Sequence, residues 1–82
     1  MAATIHLICY GITRDILGGS RLSIRVEEPC TVASVQGVLQ AQYPILRQLA
    51  SLRFAYQETY VGEDFPLPDQ AELVLIPPVS GG

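Results

Sequence analysis

The part of this sequence best suited to chemistry is its C-terminal hexapeptide, Pro77, Pro78, Val79, Ser80, Gly81 and Gly82. Proline fixes φ and lacks a backbone donor, so the two prolines are expected to end a preceding strand and to begin a stiff, extended segment. The two glycines have no side chain, so a neighbouring backbone or ligand can approach them closely. Five residues from Pro78 span at most about 16–18 Å. This pattern predicts a segment that threads a narrow channel and brings the Gly82 carboxylate into another protein's active site. A terminal segment without function is the alternative.

Other reactive side chains are few. The sequence has two cysteines, Cys9 and Cys30, and one histidine, His6. These three residues cannot complete a four-ligand zinc site, so no metal site is predicted. Cys9 falls in an apolar strand pattern and is predicted to be buried, whereas Cys30 precedes a helix in a loop where its thiol could be exposed. His6 is predicted to be an ordinary strand residue. No convincing catalytic triad is present, so catalysis would come from partner proteins.

Composition and charge restrict the classes of function. The 82 residues make one domain, and a chain with 49% hydrophobic and 16% charged residues is too apolar to be disordered. The net charge of −3 comes without a basic run, which argues against nucleic-acid binding. No apolar run nears the roughly 20 residues that span a membrane, and no signal peptide is visible, so a cytoplasmic location is expected. Four acidic residues form either a solvated surface or a steering patch for a basic partner. They are Glu63, Asp64, Asp69 and Glu72.

The five cationic side chains are all arginines, and the sequence contains no lysine. Lysine is among the commonest residues, so its absence from a chain of this length is unusual. Compositional drift is the simplest explanation. The alternative is chemical, because an activated acyl group at the C-terminus would be attacked by nearby amines.

Hydrophobic periodicity predicts the elements that carry this terminus. The predicted strands are 4–10, 22–27, 52–56, 59–61 and 73–76, and the predicted helix is 32–42. Thr31 is a suitable N-cap for the helix, which Pro44 closes, and residues 11–20 are predicted to be a loop. The order is β-β-α-β-β-β. This order is typical of the α+β class, with a mixed sheet packed on one main helix.

A single helix covers only one face of such a sheet, so the other face keeps an excess of apolar residues. If the first and last strands lie side by side, strand parity places four of these residues together: Ile8, Tyr10, Val74 and Ile76. A large exposed apolar patch on a small domain usually marks an interface. The pattern therefore predicts a partner protein on that face.

The strand order and the Gly-Gly terminus resemble the ubiquitin-like β-grasp sulfur carriers, and within them the MoaD-type small subunits of molybdopterin synthase. The hexapeptide is the most specific match. Arg14-Asp15-Ile16-Leu17-Gly18 is similar to the family's Arg-Glu-x-x-Gly after the first strand. Phe65-Pro66-Leu67-Pro68-Asp69 is similar to its Pro-Leu turn before the last strand. The resemblance covers essentially the whole chain and implies a β-grasp domain over 1–76 and a flexible sulfur-carrying tail over 77–82.

The resemblance further implies a cycle of sulfur transfer. An adenylating enzyme uses ATP to join the Gly82 carboxylate to AMP, and a sulfur donor protein converts the adenylate to a thiocarboxylate. The tail then enters the large subunit of molybdopterin synthase and gives sulfur to a pterin precursor, in a complex of two small and two large subunits. The chain itself would bind no cofactor, and Tyr10, Tyr60 and Ile76 would lie in an apolar docking patch.

Three other functions stay open on the sequence. Similar carriers deliver sulfur for thiazole, cysteine or tRNA thiolation, although thiazole carriers tend to be shorter and to lack the double proline. A ubiquitin-like protein modifier would instead form isopeptide bonds through Gly82. A plain interaction module would use the domain and leave the terminus inert.

Overall fold

The computed structural model describes residues 1–48 and 52–77, which form five strands, two α-helices and one 3-10 helix. The strands are β1 (Ala2–Cys9), β2 (Arg21–Glu27), β3 (Arg53–Tyr56), β4 (Thr59–Val61) and β5 (Glu72–Ile76). The helices are α1 (Ile12–Leu17) and α2 (Val32–Gln42), and the 3-10 helix is Pro44–Gln48. Within the described ranges, no helix has the length and apolar character needed to cross a membrane.

Strand pairing makes β1 and β5 neighbours inside the sheet. The strand order is β2-β1-β5-β3-β4. β1 pairs with β5 in parallel, and the other three pairs are antiparallel. A parallel pair requires a crossover connection, and here that connection contains α2. The predicted mixed sheet with one main helix is confirmed, and so is the prediction that the first and last strands lie side by side.

Helix α2 begins where the sequence supplies a hydroxyl cap. Thr31 Oγ1 accepts the Ser34 N–H at 3.3 Å, and Ser34 Oγ accepts the Thr31 N–H at 3.3 Å. This reciprocal capping box satisfies two backbone donors at the start of the helix. Pro44 disfavours a helical conformation at the residue before it, Tyr43, and α2 ends there. The prediction of a helix over 32–42 is confirmed.

The buried core lies between α2 and one face of the sheet. Successive strand residues point to opposite faces, and the odd-numbered residues of β1 and β5 are the buried ones. Fully buried side chains include Ile5, Leu7, Leu73 and Leu75 from the sheet, and Val32, Val35 and Leu39 from α2. We call the face of the sheet opposite α2 the open face.

The connection between β1 and β2 contains a helix where the sequence analysis predicts a loop. The six residues of α1 are too few to show a clear hydrophobic period. Two glycines, Gly18 and Gly19, mark the end of this helix. Gly18 has φ 83°, and the N–H groups of Gly18 and Gly19 both donate to Arg14 O at 3.0 Å. The helix therefore ends in a left-handed glycine cap.

Cys30 is 5% exposed, so the expectation of an exposed thiol is wrong. The segment after β4 covers this residue. Leu67 N–H donates to Cys30 O at 2.8 Å, and Thr31 forms an isolated bridge with Pro66. A local sequence pattern cannot reveal a cover that comes from far along the chain. Cys9 is 1% exposed, which confirms the prediction that it is buried.

Candidate docking face and root of the C-terminal segment

A row of side chains crosses four strands on the open face. Strand register aligns Ile8 of β1 with Val74 of β5, and Val74 with Ala55 of β3. Ala55 in turn pairs with Tyr60 of β4. Aligned residues on one face of a sheet have neighbouring side chains. The structure therefore brings Ile8, Val74 and Tyr60 together from three separate segments of the chain.

Ile76 and Tyr10 extend this row toward the end of the sheet at which β5 stops. Ile76 lies two residues beyond Val74 on the same face, and Tyr10 directly follows the last residue of β1. The tyrosines at 10 and 60 are 55% and 62% exposed, and the aliphatic members are half-buried. The structure thus gathers all five predicted partner-binding residues at one end of the open face. We call them the docking patch: Ile8, Tyr10, Tyr60, Val74 and Ile76.

The docking patch is concave around one small residue. Ala55 lies between Tyr60 and Val74 in the row, and its short side chain leaves a depression of about 340 Å³. Glu58 and Ile76 complete the lining of this depression. An apolar concavity of this kind can accept a side chain of a bound protein.

Arg53 adds a charge at the edge of the docking patch. Its guanidinium carbon lies 5.6 Å from the centre of the Tyr60 ring, which is a cation–π contact. It also pairs with Ile76, the last residue of β5. Neither Arg53 nor Ala55 was predicted from the sequence. No local signal identifies them, because their positions depend on how β3 pairs with its two neighbours.

His6 takes part in a polar network at the other end of the open face. Its Nδ1 lies 2.8 Å from Ser23 Oγ, and its Nε2 lies 2.8 Å from Gln70 Oε1. An amide oxygen only accepts hydrogen bonds, so Nε2 donates to Gln70 Oε1, while Nδ1 is hydrogen-bonded to the Ser23 hydroxyl. These contacts agree with the prediction that His6 is an ordinary strand residue.

Two of the late acidic residues have structural partners. Asp69 Oδ1 accepts the Thr4 N–H at 2.7 Å, and this hydrogen bond holds the pKa of the Asp69 carboxyl below its usual value. Glu72 lies 3.1 Å from Arg21, with both side chains exposed, and such a pair contributes little to stability. In the part of the chain that the structure describes, no group of three or more His, Cys, Asp or Glu side chains could hold a metal ion.

The root of the C-terminal segment is Pro77, which packs against the turn between β1 and α1. A Cβ added at Gly11 would lie 3.1 Å from Pro77 Cγ, and Gly11 has φ 57°. Glycine suits this turn because it allows both the positive φ and the close approach of the proline ring. The remaining predicted residues of the segment lie outside the described residues: Pro78, Val79, Ser80, Gly81 and Gly82.

Thr13 holds the same turn from within α1. The residue is fully buried, and its hydroxyl donates to Tyr10 O at 2.6 Å while accepting the Tyr10 N–H at 3.1 Å. These bonds fix the backbone of Tyr10 just after β1 ends. Thr13 was not predicted from the sequence, although a threonine in the first turn of a helix is a known signal for such local hydrogen bonds.

Replacing Thr13 by valine is expected to destabilise the domain by about 1–3 kcal/mol, because the Tyr10 N–H then loses its partner. The Tyr10 C=O loses the hydroxyl and keeps the Thr13 N–H. Valine keeps the shape of threonine, so the loss reports on the hydrogen bonds. Urea denaturation measures the free energy of unfolding. Thr13→Ser keeps the hydroxyl and serves as the control that retains these bonds. A Thr13→Val variant as stable as the parent chain would contradict this role.

Both thiols are unsuited to act as nucleophiles. Burial raises the pKa of the Cys9 thiol, and burial together with the charge of Glu28 raises the pKa of the Cys30 thiol. The nucleophilic form of cysteine is the thiolate. At neutral pH both side chains are therefore protonated as well as enclosed.

A family model described as the ThiS family matches residues 8–82. The matched range includes the whole docking patch, the Gly11 turn and the entire C-terminal segment. It therefore covers every residue to which the sequence analysis assigns a function.

Solved structures with the same fold cover nearly all of the chain. A Pyrococcus furiosus protein proposed as subunit 1 of the molybdopterin converting factor is 17% identical, with a TM-score of 0.85 over 94% of this chain and 99% of its own. SAMP1 from Haloferax volcanii is 17% identical, with a TM-score of 0.83 over 98% of this chain and 100% of its own. Small archaeal modifier protein 1 from Methanosarcina acetivorans is 22% identical, with a TM-score of 0.82 over 100% and 99% of the two chains. These likenesses show the fold, and the predicted ubiquitin-like β-grasp is confirmed.

Proposed function

The chain belongs to the ThiS family, and on that premise we propose that it is the sulfur-carrying small subunit of a molybdopterin synthase. Its fold is that of the ThiS- and MoaD-type ubiquitin-like sulfur carriers. In this proposal the domain binds partner enzymes, and the Gly82 carboxylate carries the sulfur. The chain supplies the reacting group, and its partners supply the catalytic groups.

The proposed cycle begins with the activation of Gly82. A carboxylate is a poor electrophile, so the adenylating enzyme lets one carboxylate oxygen attack the α-phosphate of ATP, and pyrophosphate leaves. The acyl adenylate now has a good leaving group. Sulfur at the oxidation level of sulfide, supplied by the donor protein, attacks the acyl carbon and forms the C–S bond. AMP departs with the electron pair of the broken C–O bond, the sulfur loses its proton to solvent, and the thiocarboxylate remains.

In the last step, the thiocarboxylate enters the large subunit of the synthase. Its sulfur bonds to a carbon of the pterin precursor while an oxygen substituent leaves that carbon with the electron pair of its C–O bond. Hydrolysis of the acyl C–S bond then returns the Gly82 carboxylate and leaves the sulfur on the pterin. Two such transfers produce the dithiolene that binds molybdenum. In this step the chain needs a slim, uncharged backbone near the acyl group, which Gly81 and Gly82 provide.

The observation that carries this proposal is the position of the docking patch beside the root of the segment. Ile76 is the last residue of β5, and Pro77 follows it directly. A protein that covers the docking patch therefore also receives the segment. The five residues after Pro77 reach at most about 17 Å beyond the domain, which suits an active site set back from the partner's surface.

We propose three protein partners for the cycle: the adenylating enzyme, the sulfur donor protein and the large subunit of the synthase. The exposed rings of Tyr10 and Tyr60 support a protein partner, because aromatic residues are enriched at protein interfaces. One docking patch per chain supports one large subunit for each small subunit, and we propose a complex of two of each. We propose that the cycle takes place in the cytoplasm.

Mass spectrometry of the intact chain from its native cells tests this function. A carrier in use is expected to include a species in which one carboxylate oxygen is replaced by sulfur, and fragmentation should locate that sulfur at Gly82. The species should disappear when the adenylating enzyme is absent. Detection of the carboxylate alone, in cells that are making molybdopterin, would refute the proposal.

A second function, protein modification, is supported by the names of two structural neighbours, SAMP1 and small archaeal modifier protein 1. A modifier would join Gly82 to lysines of other proteins through isopeptide bonds. Immunoblots distinguish the two functions, because a modifier produces adducts of higher mass that vanish when Gly81 and Gly82 are deleted. A carrier for thiazole, cysteine or tRNA thiolation would contain the thiocarboxylate, yet its removal would leave molybdopterin unchanged.

A further inference from the structure

We propose that this chain is inert toward its own activated C-terminus, because none of its amines, thiols or imidazole groups can attack the Gly82 acyl carbon of the same molecule. The inference rests on the proposed function, which makes Gly82 electrophilic. It restricts the acceptors of the acyl group to other molecules, such as the sulfur donor, water or an amine of another protein.

The side chains offer no amine. All five cationic residues are arginines, and none is a lysine. A guanidinium is a very strong base, so at neutral pH it remains protonated and has no free electron pair with which to attack. A lysine amine is the group that would otherwise attack an adenylate or a thioester. Amides between Gly82 and a side chain of this chain, in the same molecule or in a second copy, are therefore excluded.

The α-amino group of Met1 lies at the end of the sheet opposite to Pro77. Glu28 N–H donates to Met1 O at 2.9 Å, which holds Met1 beside the start of β1. Since β1 and β5 run parallel with Cys9 aligned to Leu75, Met1 and Pro77 lie roughly 33 Å apart along the strands. The segment after Pro77 spans at most about 17 Å. Gly82 therefore cannot reach the amine of its own molecule.

The two thiols and the imidazole also cannot attack the Gly82 acyl carbon. Cys9 and Cys30 are 1% and 5% exposed, so an acyl carbon cannot approach either sulfur atom. His6 is aligned with Glu72, roughly 16 Å from Pro77, where only a fully stretched segment could reach it. Both of its ring nitrogens are already engaged in hydrogen bonds, Nε2 with Gln70 Oε1 and Nδ1 with the Ser23 hydroxyl. Hydroxyl groups are weak nucleophiles unless a neighbouring base removes their proton.

This inertness determines what products the chain can form. A sulfur carrier of this kind keeps its activated terminus intact until the donor arrives, without losing it to an internal amide. In a modifier of this kind, a second copy could be joined to the first only head to tail, through the Met1 amine. Branched chains linked through side chains are excluded in either function.

A Gly82 thioester tests the inference without any partner enzyme. The full chain is expressed as an intein fusion and released with a small thiol, which leaves the thioester on Gly82. Three charge-conserving substitutions then introduce an amine at increasing distance: Arg53→Lys, Arg21→Lys and Arg25→Lys. From the strand register, these positions lie roughly 6, 14 and 25 Å from Pro77. The extended segment and a lysine stem together reach no more than about 24 Å.

Arg53→Lys is expected to cyclise. The lysine nitrogen attacks the acyl carbon, the C–N bond forms, and the C–S bond breaks with its electron pair on sulfur. The ammonium proton passes to the buffer, and the thiolate leaves and is protonated. An effective amine concentration in the millimolar range, against about 10 μM protein, predicts amide formation at least ~100-fold faster than in Arg25→Lys. Arg21→Lys is expected to lie between the two, and mass spectrometry with fragment mapping measures all three.

The parent chain and Arg25→Lys are expected to lose the thioester by hydrolysis to the acid, and any dimer is expected to be joined through the Met1 amine. An internal amide, ester or thioester cross-link in the folded parent chain would overturn the inference. Equal amide formation in Arg53→Lys and Arg25→Lys would overturn it as well. The proposed function fails by a different result, the absence of a thiocarboxylate in native cells, and that result does not affect the thioester chemistry.

Discussion

One alanine added after Gly82 is expected to lower the rate of sulfur loading by at least about 100-fold, because the reacting carboxylate is displaced from the partner's catalytic groups. The Gly82 carbonyl then lies in a peptide bond, and the new carboxylate lies about 3.5 Å further along the segment. A misplacement of about 1 Å can already slow an enzymatic step by about 100-fold. The adenylation rate is measured as pyrophosphate release with the purified adenylating enzyme, and thiocarboxylate is measured as the mass of the intact chain.

The matched control is one alanine inserted directly after Met1. It adds the same mass at the opposite end of β1, roughly 33 Å from Pro77. This variant is expected to be loaded at the rate of the parent chain. If both alanine variants were loaded equally well, Gly82 could not be the residue that carries the sulfur.

The second large effect is expected from a charge placed in the docking patch. Tyr10→Asp and Ile76→Asp should each weaken binding of the large subunit by about 30- to 1000-fold, which corresponds to about 2–4 kcal/mol. A carboxylate that loses water in an apolar interface without a partner is strongly unfavourable. Isothermal titration calorimetry with the purified large subunit measures the change in Kd.

Ser23→Asp is the control for this experiment. Ser23 is exposed on the same open face beside His6, outside the docking patch, and the substitution adds the same charge. Its effect on the Kd is expected to stay within about threefold, since surface changes away from an interface contribute less than about 0.5 kcal/mol. Circular dichroism shows whether each variant is folded. Normal binding by folded Tyr10→Asp and Ile76→Asp variants would place the partner on another surface.

Elements that depend on residues a few positions apart could be predicted from the sequence. The capping pair Thr31 and Ser34 and the apolar positions of α2 lie within one short stretch, and the helix forms where that stretch indicates. The alternation in β1 likewise shows which of its faces is buried. Helix α1 could not be predicted in this way, because its six residues are held by contacts outside it. Thr13 bonds to Tyr10, and Leu17 is buried against the core.

The docking patch was predicted only in part, because some of its residues follow from local patterns and others from contacts between distant segments. Parity places Ile8, Val74 and Ile76 on one face once β1 and β5 are neighbours, and that neighbourhood could be proposed from the order of the elements. Tyr60 was identified only through the resemblance to a family. Arg53 was missed altogether, because it joins the docking patch through the pairing of β3 with β4 and β5.

The sequence by itself determined the residue types of the C-terminal hexapeptide, the lack of lysine and the alternation of apolar residues in the strands. The types of the side chains and their order along the chain are the same whatever fold the chain adopts. Only the tertiary structure decided that Ala55 forms the floor of the docking patch and that Cys30 is covered. It also decided that Pro77 packs against Gly11 and that Met1 and Pro77 lie at opposite ends of the sheet. Each of these depends on contacts between distant segments, and strand register, which no local pattern specifies, selects which residues meet.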